Sequence, residues 1–202
     1  MPKSPTKRRP LTRAALSESA WSLFREKGFH ATTISDIVER AGLTRGAFYS
    51  NYRDKEELFL ALYDEHTDRL LAGLEASAAE AATGGDPIAQ LGERIAGRTA
   101  EERRWFLVSM EFTLHAARNP AVAEQLAAHE DRLAQGLTRV LASALAAAGA
   151  EPSLPADQLA RLLIALFEGV TAHQVVHGDS RLTESFTPLL LRTFTAPGKS
   201  AS

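Results

Sequence analysis

The stretch Thr33-Ile-Ser-Asp-Ile-Val-Glu-Arg-Ala-Gly-Leu-Thr-Arg-Gly-Ala-Phe-Tyr-Ser-Asn-Tyr52 decides the fold. Ile34, Ile37, Val38 and Ala41 recur at helical spacing, which gives a short helix one apolar face. Thr33 stands before that run as an N-cap, and Asp36 completes a capping box with an acid in place of the usual Glu or Gln. Gly42 supplies a left-handed C-cap position, and Leu43 can pack back on Val38 as a Schellman motif requires. Thr44 then caps a second helix after almost no loop. Two helices joined by so short a turn containing glycine cross steeply, which is the helix-turn-helix arrangement. On the second helix Phe48 and Tyr52 point inward, leaving Gly46, Tyr49 and Ser50 facing away with Arg45 in the first turn. A small, polar and basic face suits a helix that enters a DNA groove.

Upstream, Leu16, Ala20, Leu23 and Phe24 form the buried stripe of a supporting helix that runs from Thr12 to Gly28, with Phe29 packing back on Phe24. Pro2 to Pro10 holds Lys3, Lys7, Arg8 and Arg9 without an acid or any apolar period, and is expected to be a flexible basic arm. Such an arm either solubilises the chain or contacts phosphates and the minor groove. Residues 1–59 carry 11 Lys plus Arg against 7 Asp plus Glu, whereas the remainder carries 12 against 18, so a net charge of −2 conceals a basic N-terminal module on an acidic body. That division fits polyanion binding confined to one end.

The composition, 45% hydrophobic and 24% charged over 202 residues, is that of an ordinary globular protein with a real core. The absence of cysteine excludes disulfides, thiolate catalysis and cysteine-ligated zinc. No signal peptide or membrane span is read, so a cytoplasmic location and no membrane partner are expected.

Downstream, Asp54 and Glu57 open a long helix through Leu58, Leu62, Leu70, Leu71 and Leu74 to about Ala82. It is expected to be the only continuous link to a second domain. Further helices are read from Pro87, from Ala100 to Arg118, from Pro120 to Gly149, from Ala156 to His177, and from Leu182 to Phe194 with an interruption at Pro188, and no strand is expected. No catalytic constellation or cofactor loop emerges, so neither an enzyme nor a cofactor is expected. Polar residues do interrupt apolar helices. Glu111 and His115, with Glu168, Thr171 and His173, are either hydrogen-bonded structure or the polar groups of a pocket lined by Trp105, Phe106, Met110, Phe112 and Phe167. His173 and His177 have the spacing of two helical metal ligands, with Asp179 as a possible third, but without an HExxH pattern they are read as a surface pair and no metal is assigned. Leu162, Leu166, Phe167, Leu189, Leu190 and Leu191 on the last two helices supply more apolar surface than one subunit usually buries there, and are read as a homodimer interface.

Thr32-Thr-Ile-Ser-Asp-Ile, Ala41-Gly-Leu-Thr and Gly46-Ala-Phe-Tyr-Ser-Asn-Tyr-Arg-Asp-Lys-Glu-Glu-Leu58 resemble the DNA-binding domain of tetracycline-repressor-type (TetR) regulators over roughly the first 60 residues. The resemblance implies an all-α fold of about nine helices, with an N-terminal three-helix helix-turn-helix domain and a C-terminal helical ligand-binding and dimerisation domain. The expected division is an arm at 1–10, a DNA-binding domain at 11–59, the second domain at 60–195 and a flexible tail at 196–202. By the family's roles, Ser35, Arg45, Gly46 and Ala47 fall at base edges, and Thr44, Tyr49, Asn51 and Lys55 at phosphate or mixed positions, with Thr33 and Ser50 beside them. Gly46 and Ala47 are nearly featureless, so direct readout would rest on Arg45, the residue type that pairs with guanine. The implied function is a regulator of the repressor class that binds palindromic double-stranded DNA as a homodimer and is released by a small, largely apolar effector. The alternatives from other classes are a non-specific architectural DNA binder and a helical carrier with a protein-docking module.

Overall fold

Eight helices and one short strand pair make up the described residues of this computed structural model, which are 8–81, 85–96, 99–178, Thr193 and Thr195–Pro197. The first helix, α1 (Arg8–Ala31), begins earlier than its apolar stripe, so Arg8, Arg9 and Pro10 are helical and the expected arm is shorter. Pro10 is tolerated because the first helical turn has no N–H bonds to lose. The remainder of that arm, Met1 to Lys7, lies outside the described residues. Gly28 (φ 84°, ψ 167°) breaks α1, and Phe29 folds back on Phe24 with ring centroids 5.4 Å apart.

Both short helices form where their caps predict. In α2 (Ile34–Arg40), Thr33 accepts the Asp36 N–H while the Asp36 carboxylate accepts the Thr33 N–H at 2.8 Å, a reciprocal box. Leu43 N–H donates to Val38 O at 2.8 Å and Gly42 N–H to Glu39 O at 3.1 Å, with Gly42 at φ 63°, so the Schellman turn is complete. The next helix, α3 (Arg45–Tyr49), is capped by Thr44 and is shorter than its inward pair suggests. Tyr52 N–H still reaches Phe48 O at 2.9 Å, which keeps Phe48 and Tyr52 buried together.

The rest follows as α4 (Lys55–Ala81), α5 (Pro87–Ala96), α6 (Ala100–Ala116), α7 (Pro120–Ala148) and α8 (Ala156–His177). Contrary to the expectation of no strand, β1 (Ala150–Pro152) pairs antiparallel with β2 (Thr195–Pro197), Glu151 opposite Ala196. The two-proline connector after α7 disfavours helix, which leaves its backbone extended and free to pair. The expected ninth helix, Leu182 to Phe194, lies outside the described residues except for Thr193.

The described residues form two compact units, one comprising those up to His66 with Leu107–His129, the other Thr67–Phe106 with those from Glu130 onward. Three helices run through both units, because α4, α6 and α7 each contribute residues to both. In the first unit α6 brings Phe112 into the aromatic core of α1 and α4. Its ring stacks on Phe59 at 4.0 Å and meets Phe29 edge-on at 5.0 Å. Each such pair adds about 0.5–1.5 kcal/mol beyond the area it buries. The second unit has its own core of Leu71, Leu74 and Ala78 from α4, Leu91 from α5, Leu137, Val140, Leu141 and Ala144 from α7, and Leu159, Ala160 and Leu163 from α8.

By length and composition alone α8 is apolar enough to cross a membrane, which counting along the sequence did not register. The same property belongs to a helix with an apolar face on each side, one for the core and one for another surface.

Candidate nucleic-acid interface

The recognition face is built on two cross-links between α1 and α2. Lys27 Nζ lies 2.6 Å from Asp36 Oδ2, and the Arg40 guanidinium bonds both Glu26 and Ser22, the latter at 3.0 Å. Asp36 also accepts the Thr33 hydroxyl at 2.7 Å. The Lys27 ammonium first, and then the Thr33 donors, hold the Asp36 carboxyl far below its ordinary range. These links fix α2, and the Schellman turn fixes α3 to α2.

On this frame Thr33, Ser35, Thr44, Arg45, Gly46, Tyr49 and Ser50 are exposed, and Ala47 is half-buried. The sequence predicts them at one face; seven of the eight are exposed. Tyr49 is 51% exposed, an aromatic left in water. Arg45 has no hydrogen-bond or ion-pair partner among the described residues, unlike Lys27, Arg40 and Arg53, whose charges are matched by Asp36, Glu26 and Glu57. Several hydroxyls close the short helices instead of facing outward. Thr44 Oγ1 accepts the Ala47 N–H at 3.1 Å, and Ser50 Oγ donates to Gly46 O at 2.8 Å.

Two expected phosphate contacts are corrected. Asn51 turns inward, its Nδ2 donating to Ala47 O at 2.8 Å while Oδ1 is buried without a hydrogen-bond partner. Lys55 is half-buried behind the face, donating to the carbonyls of Phe29 at 2.7 Å and Thr32 at 2.8 Å, with Nζ 4.2 Å from the Phe29 ring centroid. Burial lowers its pKa against the opposing pull of Glu56 and Glu111. The reason is local: the broken end of α1 leaves carbonyls without helical partners, and a lysine in the first turn of α4 is within reach of them.

Residues 16–62 match the model of bacterial regulatory proteins of the tetR family, and residues 86–196 match that of the BetI-type transcriptional repressor, C-terminal. The chain belongs to the TetR family. It is therefore a DNA-binding transcriptional regulator. It is 25% identical to the HTH-type transcriptional regulator YfiR of Bacillus subtilis over 180 residues, 89% of this chain and 88% of that one. To TtgR of Pseudomonas putida it is 47% identical over 53 residues, 26% of this chain and 25% of the relative. Among solved structures, FadR of Bacillus halodurans is similar with a TM-score of 0.70 at 16% identity, covering 95% of this chain and 97% of the other, a likeness of fold alone.

For a TetR-family chain, the residues expected to orient an effector are distributed unexpectedly. Glu111, Phe112 and His115 are corrected to parts of the first unit: Glu111 Oε2 accepts the Phe29 N–H at 2.8 Å, Phe112 is fully buried among the rings, and His115 Nε2 lies 3.1 Å from Glu56 Oε1. Met110 is half-buried in the same unit. Trp105, half-buried, and Phe106, buried, fall in the second unit with Phe167, which is half-buried, and Thr171, whose hydroxyl donates to Phe167 O. Glu168 and His173 are exposed, yet partial burial, and then the Glu130 carboxylate, raise the Glu168 pKa above its ordinary value. The His173 and His177 rings lie 4.2 Å apart, and Asp179 is outside the described residues. Of the expected dimer residues, Leu162 is 36% exposed and Leu166 and Phe167 are half-buried, while Leu189, Leu190 and Leu191 lie outside the described residues. The role of Glu111 was missed because no spacing rule marks a carboxylate that serves another helix's backbone. The available signal was Gly28, a break in α1 after which the Phe29 N–H needs an acceptor from elsewhere.

Proposed function

We propose that this TetR-family regulator is a cytoplasmic repressor that binds a palindromic operator as a homodimer and is released by a small, largely apolar molecule. The observation that carries the DNA reading is Arg45, an exposed guanidinium without a partner among the described residues, in the first turn of a helix held by Thr44 and the Schellman turn. An unmatched arginine there is available for bidentate pairing with guanine O6 and N7. Ser35, Gly46, Ala47 and Tyr49 complete the contact surface, with sequence-dependent DNA shape adding specificity where Gly46 and Ala47 offer little.

The dimer reading is supported by α8, whose exposed residues include Leu162, Val175 and Val176, the last 75% exposed. Apolar surface on that scale is favourably removed from water by a second copy, and a two-fold dimer matches two half-sites. The effector reading is supported by Trp105, Phe106 and Phe167 in the second unit, side chains that suit an apolar guest. An effector must prefer the conformation that fits DNA poorly, because equal binding to both shifts nothing.

Selection of duplexes from a random pool, followed by binding isotherms, tests the reading. A palindromic consensus is expected, and Arg45→Ala should cost about 1–3 kcal/mol and relax preference at one position in each half-site. Equal affinity for all duplexes would instead identify an architectural DNA binder. Calorimetry of candidate effectors with and without operator should give the same coupling factor in both directions, about 5- to 150-fold.

A further inference from the structure

We propose that Glu111 is a positioning residue for DNA binding, which holds from α6 the corner between α1 and α2 in the conformation that presents the recognition face. The inference rests on DNA binding by the helix-turn-helix and is independent of the effector, the palindrome and the dimer.

The corner, Gly28 to Thr32, begins where α1 breaks and ends beside the N-cap of α2. Its conformation is set largely by bonds from elsewhere. Glu111 Oε2 accepts the Phe29 N–H at 2.8 Å, and Lys55 donates to the Phe29 and Thr32 carbonyls from the other side. The buried Thr32 side chain closes the loop on itself by donating to Gly28 O at 2.7 Å. Gly28 is part of the fit. A Cβ there would lie 2.7 Å from Glu111 Oε2 and 2.8 Å from Oε1, so the carboxylate occupies space that only glycine leaves open.

Removing the carboxylate leaves the Phe29 N–H without its acceptor at a point where Gly28 allows the backbone to rotate. The next residue with a fixed task is Thr33, which caps α2 and stands on the recognition face. Because the turn of Gly42 and Leu43 ties α3 to α2, a change in the entry angle of α2 moves Arg45 with it. Phe112, one residue along α6, supplies packing but no polar constraint on the corner.

The test compares Glu111→Gln, Glu111→Asp and Glu111→Leu in the full chain. Each is measured for affinity to the duplex the wild-type protein enriches most from a random pool, for thermal midpoint, and for hydrogen exchange at the Phe29 amide. Gln keeps an acceptor at the same reach and should bind within about threefold of wild type, under 1 kcal/mol. Asp keeps the charge but falls a methylene short, and Leu removes both. These two should lose affinity by about tenfold or more, the equivalent of about 1.4 kcal/mol, with faster Phe29 exchange. Should the Leu variant fail to fold, the Asp variant decides. Wild-type affinity in the Asp variant, whatever its thermal midpoint, would overturn the proposal by reducing Glu111 to a stabilising contact. So would a loss in Gln equal to that in Asp, because an acceptor at the right reach to the Phe29 N–H would then not be what preserves binding. If the wild-type protein enriches no duplex, the sequence-specific reading fails on its own, and the same comparison is made on one fixed mixed-sequence duplex.

Discussion

Replacing Lys55 with methionine separates a backing role from a DNA contact. Methionine keeps an unbranched stem against the Phe29 ring while removing the ammonium and its two bonds to the Phe29 and Thr32 carbonyls. A hydrogen bond involving a charged group contributes about 1.5–3 kcal/mol, which for two such bonds sets an upper bound of about 6 kcal/mol. The net loss should be far smaller. Lys55 is only half-buried, so water can reach the site, and burial already disfavours its charged form in the folded state. Phe29 O also keeps a longer bond from the Thr32 N–H at 3.4 Å. A loss of about 2 kcal/mol remains, which in a chain of this size lowers the thermal midpoint by about 4–8 °C.

The assay is thermal unfolding at fixed protein concentration, since any association makes the midpoint concentration-dependent. It is paired with duplex binding at several salt concentrations. A lysine that neutralises a phosphate contributes about −0.9 to the log-log salt slope, whereas a lysine turned onto its own backbone contributes nothing to it. Lys55→Met should therefore lower the midpoint and leave the slope unchanged. A variant with an unchanged midpoint and a slope shallower by about 0.9 would show that the ammonium swings out to a phosphate, and would refute the inward placement.

Two further outcomes can be checked on the same preparations. The folded-state pKa of Asp36 is depressed below the ordinary 3.8 by Lys27 and then Thr33, so the folded chain binds fewer protons than the unfolded one as acid is added. Its contribution is complete above about pH 5 and is lost as pH falls through 3.8 toward the lower folded value, and Asp36→Asn should flatten that part of the stability profile measured by urea unfolding. In the second unit, a Cβ at Gly136 would collide with the terminal methyls of Leu71, itself buried in the α4–α7–α8 core. Gly136→Ala should cost about 1–3 kcal/mol in urea unfolding, and an unchanged midpoint would show that α4 and α7 pack less closely than drawn.

What was legible in the sequence divides by how far apart the interacting groups lie. The caps at Thr33 and Thr44 and the turn at Gly42 were readable because each needs only partners within a few residues, and a side-chain type at the right offset nearly determines the bond. The first turn of α4 was harder. A lysine there serves equally well as a surface cation or as a donor to exposed carbonyls, and the Phe29 carbonyl that selects between them is 26 residues away. Glu111 is the extreme case, with its N–H donor 82 residues distant. Helical spacing established that Glu111 and His115 share a face of α6, and a polar pair on an apolar helix must meet something polar. It could not say whether that was a ligand or another helix's broken end. The missing information sits at Gly28, whose positive φ both ends α1 and leaves room for the carboxylate. A glycine that breaks a helix in this way also leaves the next N–H, here that of Phe29, to find an acceptor elsewhere, so a half-buried carboxylate such as Glu111 has two candidate destinations. The backbone is the one requiring no second molecule.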